Sequence, residues 1–143
     1  MTSRAPWHLW LVGTIAVLFN SIGVFDFTMS MARGAEYMAS VGMTPEQIAH
    51  YRGMPPWMTL TWAIGVLGAM LASILLLLRR KLAFAVFVIA LAAFLASLLY
   101  TYVLTDGGTV MGPQMAVTSA IIALLLILFG AYSWYMAGRG VLA

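Results

Sequence analysis

The chain has 143 residues, of which 64% are hydrophobic and only 8% are charged, whereas soluble domains carry about 25% charged residues. So few charges cannot form a surface that faces water, and the composition therefore excludes a soluble domain and predicts a protein whose solvent is the lipid bilayer. The absence of cysteine excludes disulfides and thiolate metal sites, and the formal charge of +3 comes with no basic patch of the kind that binds nucleic acid.

The first apolar run extends from Trp7 to about Thr28 and begins with aromatic residues, as membrane helices do at the lipid–water interface. A cleaved signal peptide is the alternative, because Arg4 precedes the run and Ser30-Met31-Ala32 could serve as a cleavage site. The run spans roughly 20 residues, however, and the apolar part of a signal peptide has about 7–15. We therefore expect a retained membrane helix.

Residues 29–56 form the one long polar segment, and we expect them to make a helical cap on the membrane surface. Thr44-Pro-Glu-Gln47 is typical of a helix start, with Thr44 as the N-cap, Pro45 in the first turn and Gln47 closing a capping box. Glycine and prolines at 53–56 predict where this short helix ends.

Three further apolar runs predict membrane helices at about 57–78, 82–104 and 114–136. At about 1.5 Å per residue, the run that ends at Leu78 matches the ~30 Å hydrocarbon core of a bilayer. Arg79-Arg80-Lys81 then forms a tight turn, so the second and third helices must be antiparallel neighbours. The predicted fold is a single all-α integral membrane domain, an antiparallel bundle of four transmembrane helices with an interfacial helical segment between the first two.

Basic residues indicate which side of the membrane is cytoplasmic. Four helices place both termini on one side, together with Arg4, Arg79, Arg80, Lys81 and Arg139, whereas Arg33 and Arg52 fall on the other. Cytoplasmic loops are enriched in Lys and Arg, so this imbalance predicts that both termini are cytoplasmic. All the acidic residues, Asp26, Glu36, Glu46 and Asp106, fall on the opposite side.

Small residues recur every four positions in three of the predicted membrane helices. The second helix has Gly65, Ala69 and Ser73 and also Gly68 and Ala72, the third has Ala92–Ala96 and Ala93–Ser97, and the fourth has Ala116–Ala120. Such stripes let helix backbones approach closely in lipid, so we expect helix contacts along them.

Asn20 is the polar residue of most interest in the predicted membrane helices: it lies about 20 Å into the first helix, counted at ~1.5 Å per residue from Trp7, and shares a helix face with Gly23. A buried amide must find hydrogen-bond partners, and two roles are open. It joins helices through an interhelical hydrogen bond, or it contacts a ligand or a lipid headgroup.

Asp26 lies two turns further along, at the membrane boundary, where it is either functional or a helix end that is solvated or paired with Arg33 or Arg52. A wider cluster is also conceivable, in which Asp26 converges with Glu46, His50, Tyr51, Arg52 and Asp106. Carboxylates with histidine can do acid–base chemistry or bind metal. The more ordinary interpretation is an interfacial helix with exposed polar residues, and we expect neither catalytic residues nor a metal site.

Several short sequence motifs follow one another along this chain: Trp7-His-Leu-Trp10, Asn20-x-x-Gly23-x-x-Asp26, Thr44-Pro-Glu-Gln47 with Tyr51, Pro56-Trp57, Ala63-Ile-Gly65, the leucine-rich run into Arg79-Arg80, Leu104-x-Asp106-Gly107 followed by Val110-Met111-Gly112, and Arg139-Gly-Val-Leu142. Their order and spacing resemble an uncharacterised family of small four-helix inner-membrane proteins of proteobacteria, over nearly the whole chain. The resemblance implies a bacterial inner membrane and hence a periplasmic location for the segment 29–56, and it supplies no catalytic residues.

The sequence favours a non-catalytic accessory or structural subunit that associates with itself or with a larger membrane complex and binds lipid or quinone. A small oligomeric transporter with a polar site near Asn20 and Asp26 is the alternative. A membrane enzyme is disfavoured, because nucleophile motifs and nucleotide-binding glycine loops are absent. We expect no bound cofactor and, besides the bilayer, other membrane subunits or further copies of the chain as partners.

Overall fold

A computed structural model describes residues 4–105, 109–110 and 112–143. Within these ranges the regular structure is entirely helical, and four of the helices are long and apolar enough to cross a membrane. The prediction of an all-helical membrane protein with four membrane-length helices is therefore confirmed. Asp106, which the sequence proposed as part of an outer cluster, lies outside the described residues.

The helices follow the predicted order, with small differences at their ends. Their bounds are α1 Trp7–Arg33, α2 Ala35–Ser40, α3 Pro45–Arg52, α4 Pro56–Leu77, α5 Leu82–Leu99 continued by a π-helical turn Tyr100–Leu104, and α6 Pro113–Gly138. The first helix runs past its predicted end at Thr28, because no glycine or proline lies between Thr28 and Gly34. Gly34 has a φ of 58° and its N–H bonds the carbonyl of Ser30, which ends the helix.

The turn between α4 and α5 is held by backbone hydrogen bonds and by the last residues of the chain. Arg79 has a φ of 59°, and the N–H of Arg80 bonds the carbonyl of Leu75 at 2.9 Å, as in a Schellman motif. The carbonyl of Arg79 accepts from the N–H of Ala143 at 2.7 Å, and the N–H of Lys81 donates to Ala143 at 2.8 Å. We call the end of the bundle that holds this turn the basic end, and the end that holds α2 and α3 the cap end.

Each membrane-length helix packs mainly against its neighbour in the chain: α1 against α4, α4 against α5, and α5 against α6. Paired positions along α1 and α4 are Gly13 with Leu77, Asn20 with Ser73, and Phe27 with Trp62. Residue numbers rise along one helix as they fall along the other, so these two helices are antiparallel.

Small residues of α4 form its contacts, as predicted. A Cβ at Gly68 would lie 3.6 Å from the Cβ of Ala90 in α5, and Ala69 and Ser73 are buried. The pairs Ala92–Ala96 of α5 and Ala116–Ala120 of α6 are instead exposed, so they make no close helix contact within this chain.

The core lies towards the basic end of the bundle. Its fully buried large side chains are Leu9, Leu76, Phe87, Met136 and Leu142. At this end His8 of α1 and Tyr132 of α6 are hydrogen-bonded. Towards the cap end the packing loosens: no residue of α1 between 21 and 29 is buried, and in α6 only Ser119 is buried before Leu126.

Gly13→Val tests the close approach of α1 to α4. A Cβ at Gly13 would overlap the side chain of Leu77, and overpacking of this kind costs about 1–3 kcal/mol. We expect a lower midpoint of thermal unfolding, measured by circular dichroism in detergent. Gly138→Val is the matched control, because a Cβ at Gly138 would meet nothing within 4 Å. Equal midpoints for the two variants would show that the helices are further apart.

Candidate functional site

The loosened half of the bundle encloses a cavity of about 560 Å³ between α1, α4, α5 and α6, with α3 and Tyr37 of α2 at its cap end. This volume is in the range of small-molecule sites, which are mostly apolar with a few convergent polar groups. Large apolar side chains form most of the wall, among them Phe19, Trp62, Phe94 and Leu126. The polar residues of the lining are Asn20, Asp26, Tyr37, His50, Tyr51, Thr61, Ser97, Thr101, Thr118 and Ser119.

Asn20 lies in the middle of α1 and is only 6% exposed. Its Nδ2 donates to the Ser73 hydroxyl at 2.7 Å and to the carbonyl of Ala69 at 3.3 Å. The Ser73 hydroxyl donates its own hydrogen to the same carbonyl at 2.8 Å. Because that hydrogen is already used, the Asn20 group facing Ser73 must be the amino group. The predicted interhelical role of Asn20 is thereby confirmed.

The amide oxygen of Asn20 faces the other way. It has no hydrogen-bond partner among the described residues, and no fully buried side-chain nitrogen or oxygen in that part of the chain lacks one. The oxygen therefore retains accessible surface, and Asn20 lines the cavity. Contact of Asn20 with a ligand, the second role considered from the sequence, remains a prediction for which this oxygen is positioned.

Asp26 lies at the rim of the cavity and accepts a hydrogen bond from the Tyr37 hydroxyl at 2.8 Å. Of the two forms of helix end considered from the sequence, solvated or paired with Arg33 or Arg52, the pairing is not found: within the described ranges Asp26 is exposed and in no ion pair, and Arg33 pairs with Glu36. The extra length of α1 explains this, because seven residues of helix place Arg33 about 10 Å beyond Asp26. Arg52 lies against Gly34 instead.

Two tyrosines of the cap have perturbed acidities. The hydrogen bond from Tyr37 to Asp26 raises the pKa of Tyr37, and burial adds to this effect. Burial raises the pKa of Tyr51, with a smaller contribution from the negative charge of Asp26. Both phenols are therefore neutral hydrogen-bonding groups at physiological pH.

The short helix α3 brings His50 and Tyr51 to the cavity. Its predicted capping box is confirmed, since the Thr44 hydroxyl accepts from the N–H of Gln47 at 3.2 Å and the Gln47 side chain accepts from the N–H of Thr44 at 3.0 Å. The ring of Tyr51 lies 5.6 Å from that of Trp62, and the ring of His50 lies 6.2 Å from that of Tyr100. Through these contacts α3 packs against the cap-end parts of α4 and α5.

The structure thus brings together five of the site residues proposed from the sequence and leaves two apart. Asn20, Gly23, Asp26, His50 and Tyr51 line the cavity. Glu46 and Arg52 are exposed and lie outside the lining, so these two do not join the outer cluster. Among the described residues no three His, Asp or Glu side chains are close enough together to hold a metal ion.

Sequence reasoning missed several lining residues on α5 and in the cap. Ser97 and Thr101 are spaced one turn apart in an otherwise apolar helix, and this spacing was a signal that one face of α5 is polar. Their hydroxyls donate to backbone carbonyls of their own helix. A π-helical turn follows at Tyr100–Leu104, and such turns often occur at functional sites.

Chemically, the cavity offers a few hydrogen-bonding groups on an apolar wall, at its inner end and at its rim. Such an arrangement can bind and orient an amphipathic molecule. No protein-family model, curated protein or solved structure matches this chain.

A double-mutant cycle tests the contact between Asn20 and Ser73. Asn20→Ala, Ser73→Ala and the double variant give an expected coupling of about 0.6–1.7 kcal/mol, the range for interhelical hydrogen bonds in membranes, measured by reversible unfolding in mixed micelles. Ser133→Ala in place of Ser73→Ala is the control, because that buried hydroxyl bonds the Phe129 carbonyl of its own helix. A coupling near zero for the first pair would refute the contact.

Asp26→Asn lowers the pKa of Tyr37 towards the ordinary value of about 10, because the amide accepts a weaker hydrogen bond and carries no charge. Ultraviolet absorbance measures phenolate formation, and subtracting the titration of Tyr37→Phe isolates this residue. Since the folded pKa is raised, the contact stabilises the fold fully below pH ~10 and is lost as pH rises through the raised value. An unchanged difference titration would contradict the contact.

Proposed function

We propose that this chain is a small non-catalytic protein of a bacterial inner membrane that binds an amphipathic, membrane-soluble molecule such as a lipid or a quinone. It acts as an accessory subunit beside other membrane proteins or further copies of itself. The observation that carries the proposal is the cavity of about 560 Å³ in the cap half of the bundle. Its wall is apolar and its polar groups are few, which suits a molecule with an apolar body and a polar end.

Lateral access supports a ligand that arrives from the membrane. Ile22 of α1 and Ile121 of α6 line the cavity, and they are also 70% and 52% exposed. The gap between these two helices therefore opens sideways, towards the region that lipid occupies. A molecule dissolved in the bilayer can enter without crossing water.

Placement in the membrane follows from charge and from resemblance. Basic residues are concentrated at the basic end of the bundle, which favours a cytoplasmic location for that end and for both termini. The resemblance to small inner-membrane proteins of proteobacteria supports a bacterial inner membrane. The cap, which includes Tyr51 and lies next to Asp26, is then periplasmic.

Association with other subunits is supported by small residues on the helix surfaces that make no close helix contact within this chain. Ala92 with Ala96 and Ala116 with Ala120 form exposed small-residue pairs on α5 and α6. Pairs of this kind let a helix of another chain approach closely in lipid.

Transport is the second candidate, because the cavity opens at the cap half while packed side chains close the basic end, as in a transporter open to one side. Coupled transport of a charged substrate needs an ionisable group within the membrane. The helices α4, α5 and α6 carry no Asp, Glu, Lys or Arg. Binding is therefore favoured over transport.

Gly23→Leu tests the proposal by filling the cavity. A Cβ at Gly23 would meet only Val66, at 3.9 Å, so a larger side chain extends into the cavity that Gly23 lines. We expect the wild-type protein, extracted in lipid nanodiscs, to carry an amphipathic molecule at about one per chain above the bulk lipid. Gly23→Leu should lose most of it, as measured by mass spectrometry of organic extracts.

Gly138→Leu is the matched control, since its site at the basic end is open and far from the cavity. Equal retention of the molecule in all three proteins would contradict binding in this cavity. If the wild-type protein carries a co-purifying solute across vesicle membranes and Gly23→Leu does not, the result would instead favour transport. Protein mass spectrometry of the same preparations identifies partner subunits.

A further inference from the structure

We infer that the amphipathic molecule bound in the cavity carries a protonated amine, which pairs with Asp26 at the rim while the apolar body extends towards Asn20. This inference rests on the proposed function, because it names the chemical class of the ligand for the same cavity. Charge and the direction of hydrogen bonds on the lining carry it.

Ionisable groups are few on the described lining, where Asp26 is the carboxylate and His50 the basic side chain. Among the lining residues that the structure describes, no other aspartate or glutamate and no lysine or arginine occurs. Arg33, the nearest cation along α1, is paired with Glu36, and Arg52 lies outside the lining, against Gly34. One carboxylate oxygen of Asp26 accepts from Tyr37, and the other has no partner among the described residues. A carboxylate at a membrane boundary with no cation beside it favours a positively charged ligand group.

Hydrogen-bond directions point the same way at the inner end of the cavity. The Asn20 amino group donates to the Ser73 hydroxyl and to the carbonyl of Ala69, which lie on the same side of it, and its amide oxygen has no hydrogen-bond partner among the described residues. An oxygen of this kind can only accept a hydrogen bond. The oxygen thus adds an acceptor to the lining, beside the carboxylate of Asp26.

Hydroxyl groups on the walls repeat this pattern. Thr61, Ser97 and Thr101 all donate their hydrogens to backbone carbonyls of their own helices, so they too present lone pairs to the cavity. The remaining polar side chains of the described lining can donate or accept and do not discriminate, namely His50, Tyr51, Thr118 and Ser119. An anionic lipid headgroup would therefore meet a carboxylate and acceptor oxygens, whereas an amine meets complementary groups.

The spacing along α1 gives the orientation. Asn20 and Asp26 are six residues apart, which is about 9 Å of helix. Asp26 is the exposed one and Asn20 the buried one. An ammonium at the rim keeps access to water and to the carboxylate, and its apolar chain lies between Phe19 and Trp62 of the wall.

Trp62 provides the measurement, because it is the one tryptophan among the lining residues. The protein is prepared in nanodiscs with Trp7, Trp10, Trp57 and Trp134 replaced by phenylalanine. Its fluorescence is then quenched at pH 8 by dodecylamine, dodecanol and dodecanoate, each brominated near the end of the chain. A second protein that keeps only Trp7, which is 74% exposed at the basic end, reports simple partitioning into the bilayer.

After correction with the Trp7 protein, we expect the amine to quench Trp62 at a concentration at least tenfold lower than the carboxylate, with the alcohol between them. Asp26→Asn should remove the difference between amine and alcohol. Tyr37→Phe should preserve it, because it removes a hydrogen bond and leaves the charge. This pair separates the charge of Asp26 from any structural effect of substitution at the rim.

Equal quenching by all three probes, or strongest quenching by the carboxylate, would overturn the amine and leave the ligand cavity of the proposed function intact. Quenching of Trp62 that never exceeds that of Trp7 would show that the cavity admits no such molecule, and would overturn both. Persistence of the amine preference in Asp26→Asn would also refute the assigned pairing.

Discussion

The bundle depends on the close approach of α4 to both of its neighbours. Lipid tails are as apolar as leucine, so helices in a membrane are held by van der Waals packing and interhelical hydrogen bonds rather than by the hydrophobic effect. Gly68 brings the backbone of α4 against Ala90 of α5, and Gly13 lets Leu77 lie against α1. Asn20 adds hydrogen bonds on the same seam. The three helices α1, α4 and α5 thus form a layer fixed by small residues.

The fourth helix, α6, is attached to this layer differently, and the cavity follows from that. It packs on α5 through large side chains such as Phe129 against Phe87, whose ring centroids are 6.0 Å apart. At the basic end Tyr132 is joined to His8 of α1. In the part of the chain that the structure describes, no hydrogen bond or ring contact joins α1 and α6 near Ile22 and Ile121, which are exposed. The two outer helices therefore meet at one end and diverge towards the other.

Features that depend on local sequence could be predicted, and those that depend on distant pairs could not. The capping box at Thr44 is set by four adjacent residues, and the contacts of α4 by a stripe of small residues within one helix. The need of Asn20 for a partner follows from burial alone, although the identity of Ser73 does not. The contact of Asp26 with Tyr37 depends on where α1 ends and how the chain reverses at Gly34. Because α1 continues to Arg33 and does not end near Thr28, Arg33 lies too far along the helix to pair with Asp26.

The cavity could not be predicted from the sequence, for a related reason. Its walls come from four helices, and each helix taken alone has an ordinary apolar composition. The cavity forms because α6 contacts α1 at the basic end and diverges from it towards the cap end. No sequence pattern within α6 predicts this divergence. Ser97 and Thr101 gave a local hint, since hydroxyls one turn apart mark a face of α5 that differs from its lipid-facing sides.

Packing energetics give the cavity a further consequence. At about 24 cal/mol per Å³, a dry void of this size would cost roughly 13 kcal/mol, which is comparable to the whole stability of a domain at about 5–15 kcal/mol. An enclosed, empty cavity of this size would therefore be unfavourable, and the opening beside Ile22 and Ile121 gives access to it. Water suits the polar rim near Asp26 but gains few partners along Phe19 and Phe94, because buried water needs two to four polar contacts. A molecule with an apolar body satisfies the walls, and its polar end satisfies the rim. An amphipathic occupant is thus favoured by the same packing that leaves the bundle open at its cap end.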